Sequence, residues 1–179
     1  EDPLLWKGYA TILNEFKKNG ISPDAVILSV GGGGLICGVV EGLCRNNFVD
    51  VPVVAVETLG ADSLSASLKA GHLIEISDIT SVATSLGAKK VVKNAYDLCH
   101  SHRVISHLVS DLDAINACLE FYHEHQLLVE PACGATLAAL YNPIDFLVDK
   151  KNILVIVCGG TGVELERLRE WKQKMELQT

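Results

Sequence analysis

The sequence predicts an α/β fold: an open, mostly parallel, twisted sheet flanked by helices. Three observations predict it. Aliphatic runs at 25–30, 53–57 and 152–158 are almost unbroken, the pattern of strands buried on both faces of a parallel sheet. Helical patterns separate these runs, which calls for right-handed crossovers. Glycine-rich turns, Gly31-Gly32-Gly33-Gly34 and Gly159-Gly160-Thr161-Gly162, follow two of the strong strands. Ligands of open parallel sheets bind outside those carboxyl ends.

Each element has its own signal. Asp2-Pro3 reads as an N-cap followed by proline at the first helical position, and the helix runs from 4 to 18, before Gly20. The strand at 25–30 and the glycine turn lead to a helix over 35–45, in which Gly38 and Gly42 permit close packing. Pro52 opens the strand 53–57. Residues 58–62 form a loop, 63–69 a short helix stopped by Gly71, and 72–76 a short strand. Helices are expected over 80–86, ended by Gly87, and over 94–99. Residues 104–109 form a strand, and Ser110-Asp111 caps a helix reaching His125. Pro131 precedes a helix over 134–141, closed by Asn142-Pro143. The strand 152–158, its turn and an amphipathic helix over 163–175 complete the chain.

Composition narrows the function. The chain has 179 residues, 49% of them hydrophobic, enough for one domain or one large lobe with a substantial core. A net charge of −7 without a basic run argues against nucleic acid as a partner. No apolar stretch approaches the roughly 20 residues that span a bilayer, so no membrane role is expected. Six cysteines at 37, 44, 99, 118, 133 and 158 include no CxxC pair, which suits reduced intracellular thiols. His100/His102 and His123/His125 are two apart and share no helix face, so they read as solvated histidines. The chain begins with Glu rather than Met, and an upstream part is expected.

The four consecutive glycines carry the chemistry. Glycine admits positive φ and lets backbone approach a ligand with no Cβ in the way. Several N–H groups can then converge on one anion at the positive end of a helix. A dinucleotide fingerprint needs a glycine five residues after the first, yet Ile36 or Cys37 stands there. A triphosphate loop needs Lys after its last glycine, yet Val39 follows Gly38. A compact monophosphate held by backbone amides fits better. The bland alternative, a flexible linker, sits poorly between two apolar segments.

Four motifs occur in order: Ser29-Val30-Gly31-Gly32-Gly33-Gly34-Leu35, Glu57-Thr58-Leu59-Gly60-Ala61-Asp62-Ser63, Val129-Glu130-Pro131-Ala132-Cys133-Gly134-Ala135 and Val157-Cys158-Gly159-Gly160. Together they resemble the L-serine dehydratase/L-threonine deaminase family of tryptophan-synthase-β-like (fold type II) pyridoxal-phosphate enzymes. The resemblance covers nearly the whole chain. It implies that residues 1–179 are the C-terminal part of such an enzyme, chiefly its large cofactor-binding domain, so the fold is expected to be incomplete. The implied reaction is dehydration of L-serine to pyruvate and ammonia, or of L-threonine to 2-oxobutanoate. A cytoplasmic homodimer acting on a small amino acid is implied, or a mitochondrial one if a presequence precedes this chain.

The resemblance also assigns residues. Backbone N–H groups of Gly31, Gly32, Gly33 and Gly34 would hold the phosphate of pyridoxal 5'-phosphate. The Cys158 thiol would lie beside the pyridine nitrogen as a neutral partner; the bland alternative is a packed core thiol. A monovalent cation such as K+ is implied, ligated by the Glu57 carboxylate, the Ser63 hydroxyl and carbonyls of Gly31, Ala61, Leu86 and Ala88. Glu57 and Ser63 could instead satisfy nearby amides. Ser85 falls near the implied substrate. The family's Schiff-base lysine lies in an upstream Ser-x-Lys-x-Arg-like segment that is absent here. Lys69, Lys89, Lys90 and Lys93 sit in polar stretches and read as surface lysines. No catalytic residue is therefore expected in this chain, and the 179 residues alone are expected to be inactive. Gly-Gly-Thr-Gly at 159–162 departs from the Gly-Gly-Ser-Asn frequent in animal members, which puts side-chain contacts after the glycine pair in doubt. A cysteine-synthase-like enzyme and a non-catalytic fragment are the alternatives.

Overall fold

The computed structural model describes residues 2–177. Its sheet has four parallel strands in the order β3-β2-β1-β4: β1 (Ala25–Ser29), β2 (Val53–Thr58), β3 (Val104–Val109) and β4 (Ile153–Val155). The expected open parallel sheet flanked by helices is what forms. Side chains alternate across it. Val26, Leu28, Val30, Val53 and Ala55 enter one core, and Ala25, Ile27, Val54 and Val56 enter the other. Both faces of β1 and β2 are buried, which is why those strands read as unbroken aliphatic runs.

The first core lies under α1 (Pro3–Tyr9), α2 (Thr11–Lys17), α3 (Gly34–Arg45), α4 (Ser63–Ala70) and α5 (Lys93–Ser101). The second lies under α6 (Asp111–His125), α7 (Pro131–Tyr141), α8 (Asp145–Val148) and α9 (Leu165–Glu176). The chain moves outward from β1 through β2 to β3, then returns across the second face to place β4 on the other side of β1. The strand order therefore reverses between β1 and β4. That reversal opens a crevice at their carboxyl ends.

Capping matches the sequence. Asp2 Oδ1 accepts from the Leu4 N–H at 2.9 Å, and Ser110 with Asp113 forms a capping box on α6. Four expectations are corrected. The helix over 4–18 divides at Ala10, where α1 and α2 meet as the pair presses onto α3. A Cβ on Gly38 would lie 2.4 Å from Tyr9 Cβ, and one on Gly42 would lie 2.7 Å from the Ala10 carbonyl oxygen. Residues 72–76 join no strand: the Ile74 N–H is taken by Ser67 Oγ and the Ile76 N–H by the Lys89 carbonyl. The helix expected over 80–86 is only a 3₁₀ turn at Thr84–Leu86, because side chains claim the amides before it. Asp111 Oδ2 accepts from Val82 N–H at 3.0 Å, and Ser81 Oγ accepts from Ala83 N–H at 3.0 Å. Strand β4 stops short of 158 because the amides of Cys158 and Gly159 turn away from the sheet to the Cys133 sulfur.

The remaining boundaries differ by a few residues, and α8 carries no signal that the sequence reading used. The six cysteines are free thiols. Among the described residues no helix is long and apolar enough to cross a membrane.

Candidate functional site

The site grows out of the end of β1. The Val30 N–H still donates to the Val56 carbonyl at 2.8 Å, and then the chain turns through three glycines into α3. Gly33 is the N-cap, with φ of 90° and no side-chain cap. The first amides of a helix have no intrahelical partner. Among the described residues, no carbonyl accepts from the N–H of Gly31, Gly32, Gly33 or Gly34. Unspent donors at a helix start, gathered on one cleft wall, are placed for an acceptor from outside.

Its surroundings explain the glycines. A Cβ at Gly31 would lie 3.0 Å from Leu86 Cα and 3.1 Å from the Ser85 carbonyl oxygen. A Cβ at Gly33 would lie 2.6 Å from Ala95 Cβ and 2.8 Å from Val91 Cγ2. The segment carrying Ser85 and Leu86 thus backs directly onto the loop. It is braced from below by a buried network: Thr58 Oγ and Ser81 Oγ lie 2.8 Å apart, and Ser81 donates to Asp111 Oδ1 at 2.5 Å.

Across the reversal point stands Cys158, three residues beyond the end of β4. A cleft of about 310 Å³ separates it from the glycine loop, with Tyr9, Ser85, Glu130 and Cys133 as further walls. Cys133 is the third residue of α7. Its sulfur accepts from the N–H groups of Cys158 and Gly159 at 3.3 Å each, and when protonated it faces the Gly159 carbonyl at the same distance. The Cys158 thiol is also its side-chain partner, and together these donors pull the Cys133 thiol below the usual range despite burial. The same neighbour, followed by burial, pushes Cys158 up. Cys158 therefore keeps its proton.

Glu57 is the penultimate residue of β2 and is fully buried. Its two oxygens accept from the Leu64 and Ser65 N–H groups at 2.8 Å each. Burial pushes its carboxyl up to about 7, against the pull of those two bonds. Ala61 is buried on the loop that follows and Ser63 at the first position of α4, and the Leu86 carbonyl accepts from the Ala88 N–H at 2.7 Å.

The structure thus brings Gly31, Gly32, Gly33, Gly34, Ser85 and Cys158 to one cleft. Glu57 and Ser63 lie outside its walls, with the carboxylate on amides at the start of α4. Lys69, Lys89, Lys90 and Lys93 are exposed, with Lys89 on the Ser77 carbonyl and Lys93 on Asp97. Sequence reasoning missed Tyr9, Glu130 and Cys133 as walls. Cys133 had a signal, since it sits at a helix start inside one of the motifs. Tyr9 had none: it arrives through the contact of α1 with Gly38 of α3.

A parallel α/β sheet with a side-chain-free anion cradle at its reversal point, faced by a thiol from the neighbouring strand, defines a domain that binds a phosphorylated cofactor. Residues 1–159 match the family model described as pyridoxal-phosphate dependent enzyme, and the chain belongs to that family. It is 43% identical to L-serine dehydratase/L-threonine deaminase of Homo sapiens over 98% of this chain and 56% of that protein. It is 39% identical to L-serine dehydratase of Dictyostelium discoideum, over 98% of this chain and 53% of that protein. Among solved structures, a fungal L-serine ammonia-lyase from Rhizomucor miehei superposes with a TM-score of 0.93 at 38% identity, over 97% of this chain and 57% of that one. The chain spans about half the length of the curated relatives it matches. The cradle fits the family's cofactor: unspent amides at a helix start suit one phosphate monoester, and a thiol that keeps its proton suits a neutral ring nitrogen.

Proposed function

We propose that the full-length protein containing this chain is a pyridoxal-phosphate-dependent ammonia-lyase. It would convert L-serine to pyruvate and ammonia, and L-threonine to 2-oxobutanoate and ammonia. The observation that carries this reading is the convergence of the unspent Gly31–34 amides and the Cys158 thiol on one cleft, in a chain 43% identical to a serine dehydratase/threonine deaminase along nearly all its length.

When bound, pyridoxal phosphate supplies the electron sink that loosens the α-proton of an amino acid. This chain's residues hold and tune the site. The amides of Gly31, Gly32, Gly33 and Gly34 grip the phosphate, with the start of α3 adding its partial positive charge. Cys158 would meet the ring nitrogen as a neutral thiol, since its neighbour Cys133 and burial push it up. Ser85, beside Gly31, faces the substrate side of the cleft.

A monovalent cation such as K+ is the second part of the proposal, bound by Glu57, Ser63 and the carbonyls of Gly31, Ala61, Leu86 and Ala88. A fully buried carboxylate with two amide donors has unspent acceptor capacity, and a cation would relieve the burial that raises its pKa. Exchanging K+ for a bulky organic cation is expected to lower activity and loosen the segment carrying Ser85; equal activity in both salts overturns the cation site.

The test of the main reading is direct. Full-length protein saturated with pyridoxal phosphate is incubated with each amino acid, and oxo-acid release is followed. Release from L-serine or L-threonine is expected. Failure with both, while the cofactor is bound, overturns the assignment.

A further inference from the structure

Two sulfurs meet at the end of β4, and the reaction above uses only one of them. Cys133 is nearly closed to solvent but forms part of the cleft wall, whereas Cys158 is exposed. The Cys133 sulfur lies 3.3 Å from the amide nitrogen of Cys158, one bond from that residue's Cα. The Cys133 sulfur is therefore within about 5 Å of the Cys158 Cα, one N–Cα bond beyond that 3.3 Å contact, which puts it within reach of the Cys158 side chain. Cys37 and Cys99 also feel one another, as do Cys118 and Cys133, but burial pushes Cys37, Cys99 and Cys118 up rather than down. Cys118 is buried and pushed up to about 12, Cys99 is pushed up to about 11, and Cys37 is buried against Asn94.

The electrostatics divide the pair into two roles. Cys133 has two backbone N–H groups on its sulfur and the start of α7 behind it, so its thiolate is the favoured one. Cys158 retains its proton beside it. A stabilised thiolate next to an accessible thiol is the arrangement of an attacking cysteine with a resolving cysteine.

We propose that Cys133 and Cys158 form a reversible redox pair that closes to a disulfide under peroxide and withdraws the Cys158 thiol from the cleft. In the first step the Cys133 thiolate attacks one oxygen of hydrogen peroxide. An S–O bond forms, the O–O bond breaks, and hydroxide leaves. In the second step the Cys158 sulfur attacks the sulfenic sulfur. The S–S bond forms, the S–O bond breaks, and the Cys158 proton leaves with the departing oxygen as water. Two thiol sulfurs are oxidised and one peroxide is reduced to water; a dithiol reductant reverses the bond.

Disulfide formation rests on the placement of the Cys133 sulfur against the Cys158 backbone and on its two amide donors, not on any cofactor contact. Its effect on the cofactor rests on the reading that Cys158 meets the ring nitrogen, and the experiment separates the two. Full-length holoenzyme is treated with hydrogen peroxide, digested under non-reducing conditions, and mapped by mass spectrometry while its visible cofactor absorption is recorded. A peptide pair joined through Cys133 and Cys158 is expected, lighter by two hydrogens and restored by dithiothreitol. Cys133→Ala and, separately, Cys158→Ala should each abolish it, while oxidation at exposed Cys44 is unchanged. Cross-links confined to other cysteines, irreversible oxidation of Cys158 without a cross-link, or two unmodified thiols would each overturn the pair. A cross-link with an unmoved cofactor band leaves the pair standing and removes Cys158 from the ring nitrogen.

Discussion

The two glycine-rich turns resemble each other as sequence and are built for different purposes. The turn at 31–34 leaves its amides unspent and presses onto the backbone of Ser85 and Leu86. In the turn at 159–162 it is Gly159 whose groups are spent: its N–H goes to Cys133, and its carbonyl accepts from Glu130 N–H at 3.1 Å. Gly160 is small for packing, since a Cβ there would lie 2.1 Å from the Leu128 carbonyl oxygen, whereas Gly159 has open space. One turn presents backbone to a guest and the other docks a strand end. Glycine content alone does not distinguish these; what each turn faces does, the cleft for 31–34 and the Cys133 sulfur and Leu128 backbone for Gly159 and Gly160.

Substitutions can break this contrast. The largest effect is expected at Gly33→Ala. Its φ of 90° and its contacts with Ala95 and Val91 leave no room. A loss of about 3 kcal/mol in urea unfolding is expected, combining left-handed strain with overpacking, together with loss of the cofactor. A change below about 0.5 kcal/mol would mean that the loop is looser than described.

Gly32→Ala is the sharper test. A Cβ there meets only Ala88 Cβ, at 4.0 Å, so unfolding stability should stay within about 0.5 kcal/mol. Cofactor affinity, measured by equilibrium titration, should nevertheless fall roughly tenfold or more, the worth of one impaired charge-assisted hydrogen bond. Gly159→Ala, also in open space, should change neither quantity. Equal cofactor affinity in the two variants would erase the distinction between the turns.

Ser81→Ala probes the brace that only the first turn has. It removes the hydroxyl that bonds Asp111, Thr58 and the Ala83 N–H. A loss of about 1–3 kcal/mol is expected, and hydrogen exchange should rise at 82–88 but not at 159–162. Uniform loosening of both turns would contradict the brace.

Those variants also indicate what could be read before the structure. The sheet, its order of strands and helices, and the glycine cradle were legible because they rest on local signals: apolar runs, caps and a tetraglycine. The segment 80–86 was not, because Asp111, far along the chain, captures the Val82 N–H and the Ser81 hydroxyl and diverts it from helix. The end of β4 was misread for a related reason. Cys133 offers the Cys158 and Gly159 amides a better acceptor than the sheet does. Tyr9 reaches the cleft only through helix packing at Gly38, which no local pattern encodes. Side-chain-to-backbone bonds across long sequence separations are thus where the sequence reading lost the site.

The smallest expected effect lies away from both turns. His107 on β3 is half-buried beside Asp113, and burial lowers its pKa from the usual 6.5, with Asp113 opposing. A lowered folded-state pKa means that the unfolded chain takes up the proton more readily. Stability from this group is therefore complete above pH 6.5 and declines as pH falls from there through the lower folded value. His107→Gln should flatten that part of the pH–stability curve while leaving cofactor affinity unchanged, since His107 lines a separate cavity with Asp113 and Asn142. If the variant retained the wild-type slope between pH 7 and pH 5 (about the range over which an ordinary histidine titrates), the acid sensitivity would belong to another group. If cofactor affinity moved with it, the β3 edge and the glycine cradle would be coupled through β2, and the independence of the two regions would fail.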